Sequence, residues 1–239
     1  MQAAGNIVID GHCEASQIEA GGDVIIRKGC QGKGLGKIIA GKSIVGQFFE
    51  SAVLTAGKDV QATYLLNCQL KANGKLLVEG RKGVIIGGKT CAKLGVSCNG
   101  IGNIAEIATV VSVGIDKEDM TAYQELQKKI EQTQAELQTC ENGLNKLMAK
   151  PVHDEKVSMM IQRLTRAVYT LKSSRKELFS ERNAQMEQMT KQKEARIQVS
   201  GRAYPGTLLF LNEDPFAIKE IYNNVEFVKH DNRIDTLAH

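Results

Sequence analysis

Two stretches of the chain match the phosphate-binding string G-x-x-x-x-G-K-[S/T] letter for letter, at residues 36–43 and 83–90. That string binds phosphate when a flexible loop wraps its backbone amides around the anion and a helix follows at once. In both copies the variable positions are rich in isoleucine and valine, which favour strands, and Ile-Val-Gly follows the first copy at 44–46. The sequence therefore argues against nucleotide binding and predicts no cofactor.

Other residue types that carry catalysis or bind metals are scattered. The histidines lack metal-site spacing, and they are His12, His153, His230 and His239. Because β-helix folds include polysaccharide lyases, Asp23 and Asp59 are candidate acids, and both stand at the same position of their repeats. Ser43 and Lys75 occupy that position in neighbouring repeats, a mixture that favours turn formation, with the Asp side chain bonding the turning backbone. We therefore predict no catalytic, cofactor-binding or metal-ligating residue.

Six cysteines occur without a C-x-x-C pair, and they are Cys13, Cys30, Cys68, Cys91, Cys98 and Cys140. Cys13 and Cys30 fall at equivalent points of consecutive repeats, so we expect them to stack. The sequence favours a reduced pair acting as small core residues, and a disulfide between them is the alternative.

A glycine-rich basic segment, Gly29 to Lys37, lengthens one repeat. A surface loop between successive turns of the fold is the favoured interpretation, because connecting segments run over protein surfaces. Binding of an anion or a partner is the alternative.

The repeats themselves are marked by alanines at the head of a motif written Ala-Gly-Lys-Asp-Val at 56–60. The alanines Ala3, Ala20, Ala40, Ala56 and Ala72 are 17, 20, 16 and 16 residues apart. A period of this size is typical of a solenoid. Aliphatic residues two before and four after the alanines alternate as in strands. We therefore predict a right-handed parallel β-helix over residues 1–116, with a strand, a tight corner and another strand in each repeat, and with the last turns at 83–114.

The period changes from 2 to 3.5 at about Lys117. Tyr123, Ile130, Leu137 and Leu144 are spaced by sevens, and Val157, Leu164, Leu171 and Leu178 form a second such line. These lines predict an antiparallel coiled-coil hairpin over 117–197, with the first helix ended by Pro151. If Leu147 faces Asp154, residues 182–197 have no partner in the first helix. The polar face mixes Glu with Lys, as the faces of helical hairpins do.

Beyond the hairpin, residues 198–239 predict a C-terminal β segment. Strands at 197–201 and 207–211 flank a turn, and a strand pair spans 225–234 around His230-Asp231-Asn232. Because the hairpin leaves and returns, we expect this segment to pack on the β-helix and cover its open end, where unpaired strand edges would otherwise invite aggregation.

The overall composition excludes several classes of protein. A net charge of +4 without a dense basic stripe argues against nucleic-acid binding and against partners chosen by charge alone. No apolar run approaches the ~20 residues that span a bilayer, and no signal peptide is visible. We predict a cytoplasmic protein with no integral membrane segment.

The order of these parts resembles the flagellar assembly protein A-like family of bacterial proteins. The matching features are the repeated Ala-Gly-Gly/Lys-Asp-Val units, Ile-Gly-Gly-Lys at 86–89, Val-Ser-Val-Gly at 111–114 and Tyr-Pro-Gly at 204–206. The resemblance implies a right-handed β-helix with a coiled-coil arm, linked to flagellar assembly or placement rather than to catalysis, and it carries over no catalytic residues. Members usually have a further domain before the β-helix, so we expect this chain to lack that domain or to be a short member.

We therefore expect a non-enzymatic scaffold in flagellar assembly or positioning. Its protein partners would bind the arm at 117–197 and the β-helix surface, and homo-oligomerisation stays open. One alternative is a bactofilin-like cytoskeletal β-helix that stacks end to end, against which the arm and the predicted cap argue. The other is a carbohydrate-active β-helix enzyme of the lyase or hydrolase type.

Overall fold

The computed structural model describes residues 1–149, 154–231 and 233–238. By compactness the chain divides into two units, Met1–Asp116 with Thr190–His239 (the solenoid unit) and Lys117–Met189 (the helix unit). The elements in chain order are β1 (Gln2–Ala3), β2 (Ile7–Ile9), β3 (His12–Glu14), β4 (Gln17–Ala20), β5 (Val24–Ala40), β6 (Ile44–Ala56), β7 (Val60–Ala62), β8 (Tyr64–Ala72), β9 (Leu76–Val78), β10 (Val84–Ala92), β11 (Val96–Ile101), β12 (Thr109–Val113), α1 (Lys117–Met148), α2 (Glu155–Lys193), β13 (Ile197–Ala203), β14 (Thr207–Leu211), β15 (Asp214–Ala217), β16 (Tyr222–His230) and β17 (Arg233–Ala238).

The strands of the solenoid unit stack in parallel from turn to turn over about six turns. The predicted mainly β solenoid, with helices inserted and a C-terminal return, is confirmed. The repeat register is confirmed as well, because the marker alanines pair across successive strands as Ala20 with Ala40, Ala40 with Ala56 and Ala56 with Ala72.

Each turn contains three strand segments, and the prediction of two per repeat was wrong. In the first turn β2, β3 and β4 pair with three successive parts of β5. The additional corner has no single sequence signal, since Ala15, Ser51 and Asn67 adopt the same left-handed backbone there, with φ values of 45°, 48° and 49°. A left-handed backbone of this kind costs an L-residue about 1–2 kcal/mol, so the stacked turns must hold it in place.

The core consists of side chains that point inward and lie above one another. One column contains Ile7, Val24, Ile44, Val60, Leu76, Val96 and Ile197. A second contains Cys13, Cys30, Phe49, Leu65, Ile85, Ile101 and Ala203. All of these side chains are buried. Burying each large aliphatic side chain contributes roughly 1.5–3 kcal/mol, so stability is spread along the stack rather than held at one centre.

The chain after the helices adds one more turn to the solenoid. Strand β13 pairs in parallel with β11, and β14 pairs in parallel with β12. The two strands predicted around a turn are therefore successive segments of one turn and pair with the turn before them. On their other sides β13 pairs antiparallel with β16, and β14 with β15. The outer edges of both strands are thus occupied, as expected for a covered end.

The helix unit is an antiparallel pair of long helices. Arg175 donates a hydrogen bond to Gln134 at 2.7 Å, and Lys172 forms an ion pair with Glu141 at 2.8 Å. Asp154 begins α2 by accepting a hydrogen bond from the backbone amide of Val157 at 2.7 Å, as an N-cap residue does. α1 ends at Met148, and the predicted stop at Pro151 lies outside the described residues.

The expectation that residues 182–197 lack a partner in α1 was wrong for Gln185. Its side-chain amide donates to the backbone carbonyl of Asp119 at 3.4 Å. The predicted register, with Leu147 opposite Asp154, differs from the observed contacts. These contacts shift the pairing by several residues, so α1 meets a later part of α2.

Candidate functional site

The two phosphate-binding strings do not form phosphate loops. The first lies at the end of β5 and in the turn before β6, and the second lies almost wholly in β10, so strands follow where a helix is required. The glycines instead allow the backbones of successive turns to stack closely. A Cβ on Gly41 would stand 2.3 Å from the backbone oxygen of Gly21, and a Cβ on Gly57 would stand 2.1 Å from that of Gly41.

Asp23 and Asp59 join neighbouring turns of the solenoid. The carboxylate of Asp23 accepts a hydrogen bond from the backbone amide of Ser43 at 2.9 Å, and that of Asp59 accepts one from Lys75 at 2.7 Å. The predicted bond to the turning backbone is therefore made, but to the equivalent corner of the next turn. These acids hold corners together and do not converge on a cleft.

Cys13 and Cys30 are register partners on β3 and β5, as the repeat alignment predicted, and both are buried free thiols. Burial raises the pKa of Cys30 to about 11, and the neighbouring Cys13 adds to the shift. Burial likewise raises the pKa of Cys98 to about 12. Thiols with raised pKa values are poor nucleophiles at neutral pH, which fits a packing role.

The remaining candidate residues form no metal-binding cluster in the described ranges. Three or more His, Cys, Asp or Glu side chains nowhere cluster to hold a metal ion within residues 1–149, 154–231 and 233–238. His12 and His230 are exposed, and His153 and His239 lie outside those ranges. The basic segment Gly29 to Lys37 lies within β5, where the register shifts between Gln31 and Gly36, and Leu35 is 70% exposed. It forms a surface bulge on one turn.

The most specialised local structure is the place where the helices enter and leave the solenoid unit. Asn212, with φ at 51°, lies in the tight connection between β14 and β15. Its side-chain oxygen accepts a hydrogen bond from the backbone amide of Ile115 at 2.9 Å, just before α1. Its side-chain nitrogen donates to the backbone carbonyl of Lys193 at 3.2 Å, at the end of α2. One carboxamide therefore holds both ends of the insertion.

A buried lysine supports the same place. Lys93 is 6% exposed, and its ammonium lies 3.7 Å from the carboxylate of Asp116, the residue before α1. Lys71 lies 3.9 Å from the same carboxylate. Burying an ammonium costs free energy unless an opposite charge lies nearby. The ion pair with Lys93 therefore holds Asp116 in place within the solenoid unit. We name Lys93, Asp116 and Asn212 the insertion anchor.

The buried side chains of α1 lie along one side of the helix. Leu126, Ile130 and Leu137 of α1 are buried, with Leu137 at 1% exposure. Toward the end of α2 the heptad positions are occupied by polar residues. There the guanidinium of Arg182 stacks over the Phe179 ring at 4.7 Å. The buried Nε of Arg182 has no hydrogen-bond partner within the described part of the chain. Packing in this pair is thus apolar in the middle and polar at one end.

The first part of α2 carries a charge pattern that the sequence reasoning missed. From Lys156 to Lys176 the chain has six Lys and Arg and no Asp or Glu. The expectation of mixed Glu and Lys on the polar face is therefore wrong for this segment. The run of basic residues can be read from the sequence. A net charge counted over a longer stretch hides it, because acidic residues elsewhere in that stretch cancel the basic ones.

No helix in the described ranges is long and apolar enough to cross a membrane. Comparison with curated proteins finds no match, and comparison with solved structures finds none. The family model for the flagellar assembly protein A β-solenoid domain matches residues 1–234, nearly the whole chain. That family is not one of known enzymes. The chain therefore belongs to the flagellar assembly protein A β-solenoid family.

Proposed function

We propose that this chain is a non-enzymatic scaffold in bacterial flagellar assembly or positioning, acting in the cytoplasm. In this role the solenoid unit is a rigid base, and the helix unit is the part that binds protein partners. The observation that carries the proposal is the insertion anchor, in which Asn212 and Asp116 hold the chain just before α1 and at the last residue of α2 within the solenoid unit. Family membership supports the flagellar setting.

The helix pair acts as a coiled coil in this proposal. The support is the heptad spacing of the buried residues Leu126, Ile130 and Leu137, together with the antiparallel contacts of Gln134 and Glu141 with α2. A pair of this kind buries its apolar faces internally and leaves long polar faces for a partner. Such faces suit protein recognition better than turnover of a small substrate.

Deletion of the gene in its host, followed by complementation, tests the flagellar role. We expect reduced motility or altered flagellar number, restored by the full chain and not by a Leu137→Asp variant, because a buried carboxylate disrupts helix packing. A Thr55→Asp variant at an exposed position of the solenoid is the matched control. Unchanged motility and flagellar number after deletion would exclude the flagellar role.

Photocrosslinking tests the binding role of the helices. A photoreactive residue at the exposed Gln138 of α1 is expected to capture a protein from the host, whereas one at the exposed Thr55 of β6 captures less. Capture from the solenoid position alone would assign binding to the other unit.

A further inference from the structure

The exposed side of α2 presents basic and apolar side chains along one face. Lys156, Met159, Arg163, Arg166 and Tyr169 follow at intervals of three or four residues, which places them on the same side of the helix, and all five are exposed. We name these five residues the basic stripe. From Lys156 to Tyr169, thirteen residues further along the helix, it extends about 20 Å.

The charges of the basic stripe are not balanced within the helix. Positions three and four residues before and after Lys156, Arg163 and Arg166 hold no Asp or Glu. In the described part of the chain none of the three forms an ion pair. Arg163 and Arg166 instead stand as like charges one helical turn apart, which is mildly destabilising.

Two lysines of α1, Lys128 and Lys129, are arranged differently. Glu125 lies three residues before Lys128 and four before Lys129, and Glu131 lies three after Lys128. This arrangement supplies the local compensation that surface helices ordinarily have. The exposed cations of the basic stripe therefore lack the compensation that Lys128 and Lys129 have, and they leave a positive field at the surface of α2.

We propose that the basic stripe is the docking surface for an acidic segment of a protein partner. This inference rests on the proposed function, since it names the surface and the chemistry through which the helix unit binds. Guanidinium groups pair bidentately with carboxylates, which gives Arg163 and Arg166 a specific fit to glutamate or aspartate. Met159 and Tyr169, 52% and 78% exposed, supply apolar contact area between the charges.

A membrane surface fits the basic stripe less well than a protein. An interfacial helix binds by burying its apolar face in the bilayer, but the apolar line of α2 packs against α1. The three cations alone would attract an anionic membrane only weakly. Nucleic acid fits less well too, because duplex binding draws on many phosphate contacts and makes little use of exposed methionine.

Binding of a probe peptide by the full chain tests the proposal. The probe is a fluorescein-labelled helical peptide with glutamate at every third or fourth position and leucine between. We expect Arg163→Glu with Arg166→Glu to weaken its binding by roughly tenfold or more, and added salt to weaken binding to the native chain. Lys128→Glu with Lys129→Glu, which reverses two exposed charges on α1, is the matched control and should leave affinity nearly unchanged. Circular dichroism verifies that each variant keeps its helices.

Three outcomes overturn the proposal. The first is no difference between the two double variants. The second is equal binding of the same peptide with glutamine in place of glutamate. The third is tighter binding of phosphatidylglycerol vesicles or duplex DNA that is lost in the Arg163→Glu, Arg166→Glu variant. If this variant still crosslinks host protein at Gln138 as the native chain does, the basic stripe is excluded and the scaffold function stands. Absence of any crosslink in the native chain counts against the scaffold function itself.

Discussion

At the scale of single residues, the side chains that matter most are polar ones that join separate parts of the backbone. Asn212 bonds Ile115 and Lys193, which are distant in sequence and belong to the two ends of the insertion. Asp59 joins its corner to Lys75 in the next turn. In each case a short side chain satisfies a backbone group that regular pairing leaves open. Such residues act on stability and not on chemistry.

Replacement of Asn212 by glycine should lower the free energy of unfolding by about 2–3 kcal/mol, because the amide of the buried Ile115 loses its acceptor. Glycine tolerates the positive φ, so the loss reports the side-chain bonds alone. Urea unfolding followed by circular dichroism measures the change. Asn73→Gly, at an exposed position before β9, is the control for adding a glycine. Equal stability of Asn212→Gly and the native chain would remove Asn212 from the insertion anchor.

The raised pKa of Cys30 predicts a stability loss at high pH. The unfolded thiol titrates at its ordinary value of 9.0 and the folded thiol at about 11, because burial disfavours the thiolate and Cys13 adds to the effect. As pH rises from 9.0 toward about 11, the unfolded chain releases a proton that the folded chain keeps, so the free energy of unfolding falls. Below 9.0 the contribution is fully present.

Urea unfolding across that pH range checks the prediction. Cys30→Ala should show a shallower decline than the native chain, whatever its absolute stability. Thr55→Ala, at an exposed position of β6 that carries no thiol, is the matched control and should keep the native slope. Identical slopes for Cys30→Ala and the native chain would contradict a buried, protonated thiol.

At the scale of elements, the solenoid and the helix pair depend on different kinds of contact. A turn of the solenoid is held by backbone pairing and by columns of buried side chains shared with both neighbours. The helix pair depends on a few buried side chains along one line, with Leu137 the most deeply buried of α1. Single substitutions should therefore be felt more sharply in the helix pair.

Leu137→Ala should destabilise the helix pair by about 3 kcal/mol, from lost burial and the cavity left behind. The loss should appear as earlier unfolding of the helical signal at low urea, with little change in the later loss of β structure. Met159→Ala on the same pair is the control, since Met159 is 52% exposed. A Leu137→Ala variant with native helical unfolding would mean that this line is not the packing surface.

The repeat of the solenoid could be predicted because its alanines recur at positions that pair in register, such as Ala56 with Ala72. The third strand of each turn could not, since the corner before it is formed by residues as different as Ala15, Ser51 and Asn67 and is held by stacking. The insertion anchor could not be predicted from the sequence either, because Asn212 contacts Ile115 and Lys193 only in the complete fold. The basic stripe needed no structure to be noticed, only a charge count by segment.

At the scale of the whole molecule, the two compact units have a simple relation along the chain. The helix unit is an uninterrupted insertion at Lys117–Met189, and the solenoid unit is built from the chain on both sides of it. Strands β13 and β14 complete the solenoid by pairing with β11 and β12, which precede the insertion. The fold of the base therefore requires the two flanking segments to meet, and it draws its own pairing from neither helix.

The insertion anchor places those segments close together. Asn212 bonds the amide of Ile115 at 2.9 Å and the carbonyl of Lys193 at 3.2 Å, so these two groups lie within about 8 Å of each other. A few extended residues at about 3.5 Å each span that distance. A chain in which a short glycine–serine linker replaces Lys117–Met189 should therefore fold into the solenoid alone.

Circular dichroism of that shortened chain should show β structure without the helical minimum, and its urea unfolding should be a single cooperative transition near that of the β signal in the native chain. Proteolysis provides an independent measure, since stacked strands resist cleavage and a collapsed but unpaired chain does not.

The same shortened chain carrying Asn212→Gly is the informative control. With the helices absent, the carboxamide still joins Ile115 to Lys193, so the substitution should remain costly. A shortened chain that stays unfolded would show that the turn made by β13 and β14 depends on the helices, and that the solenoid is not an independent base.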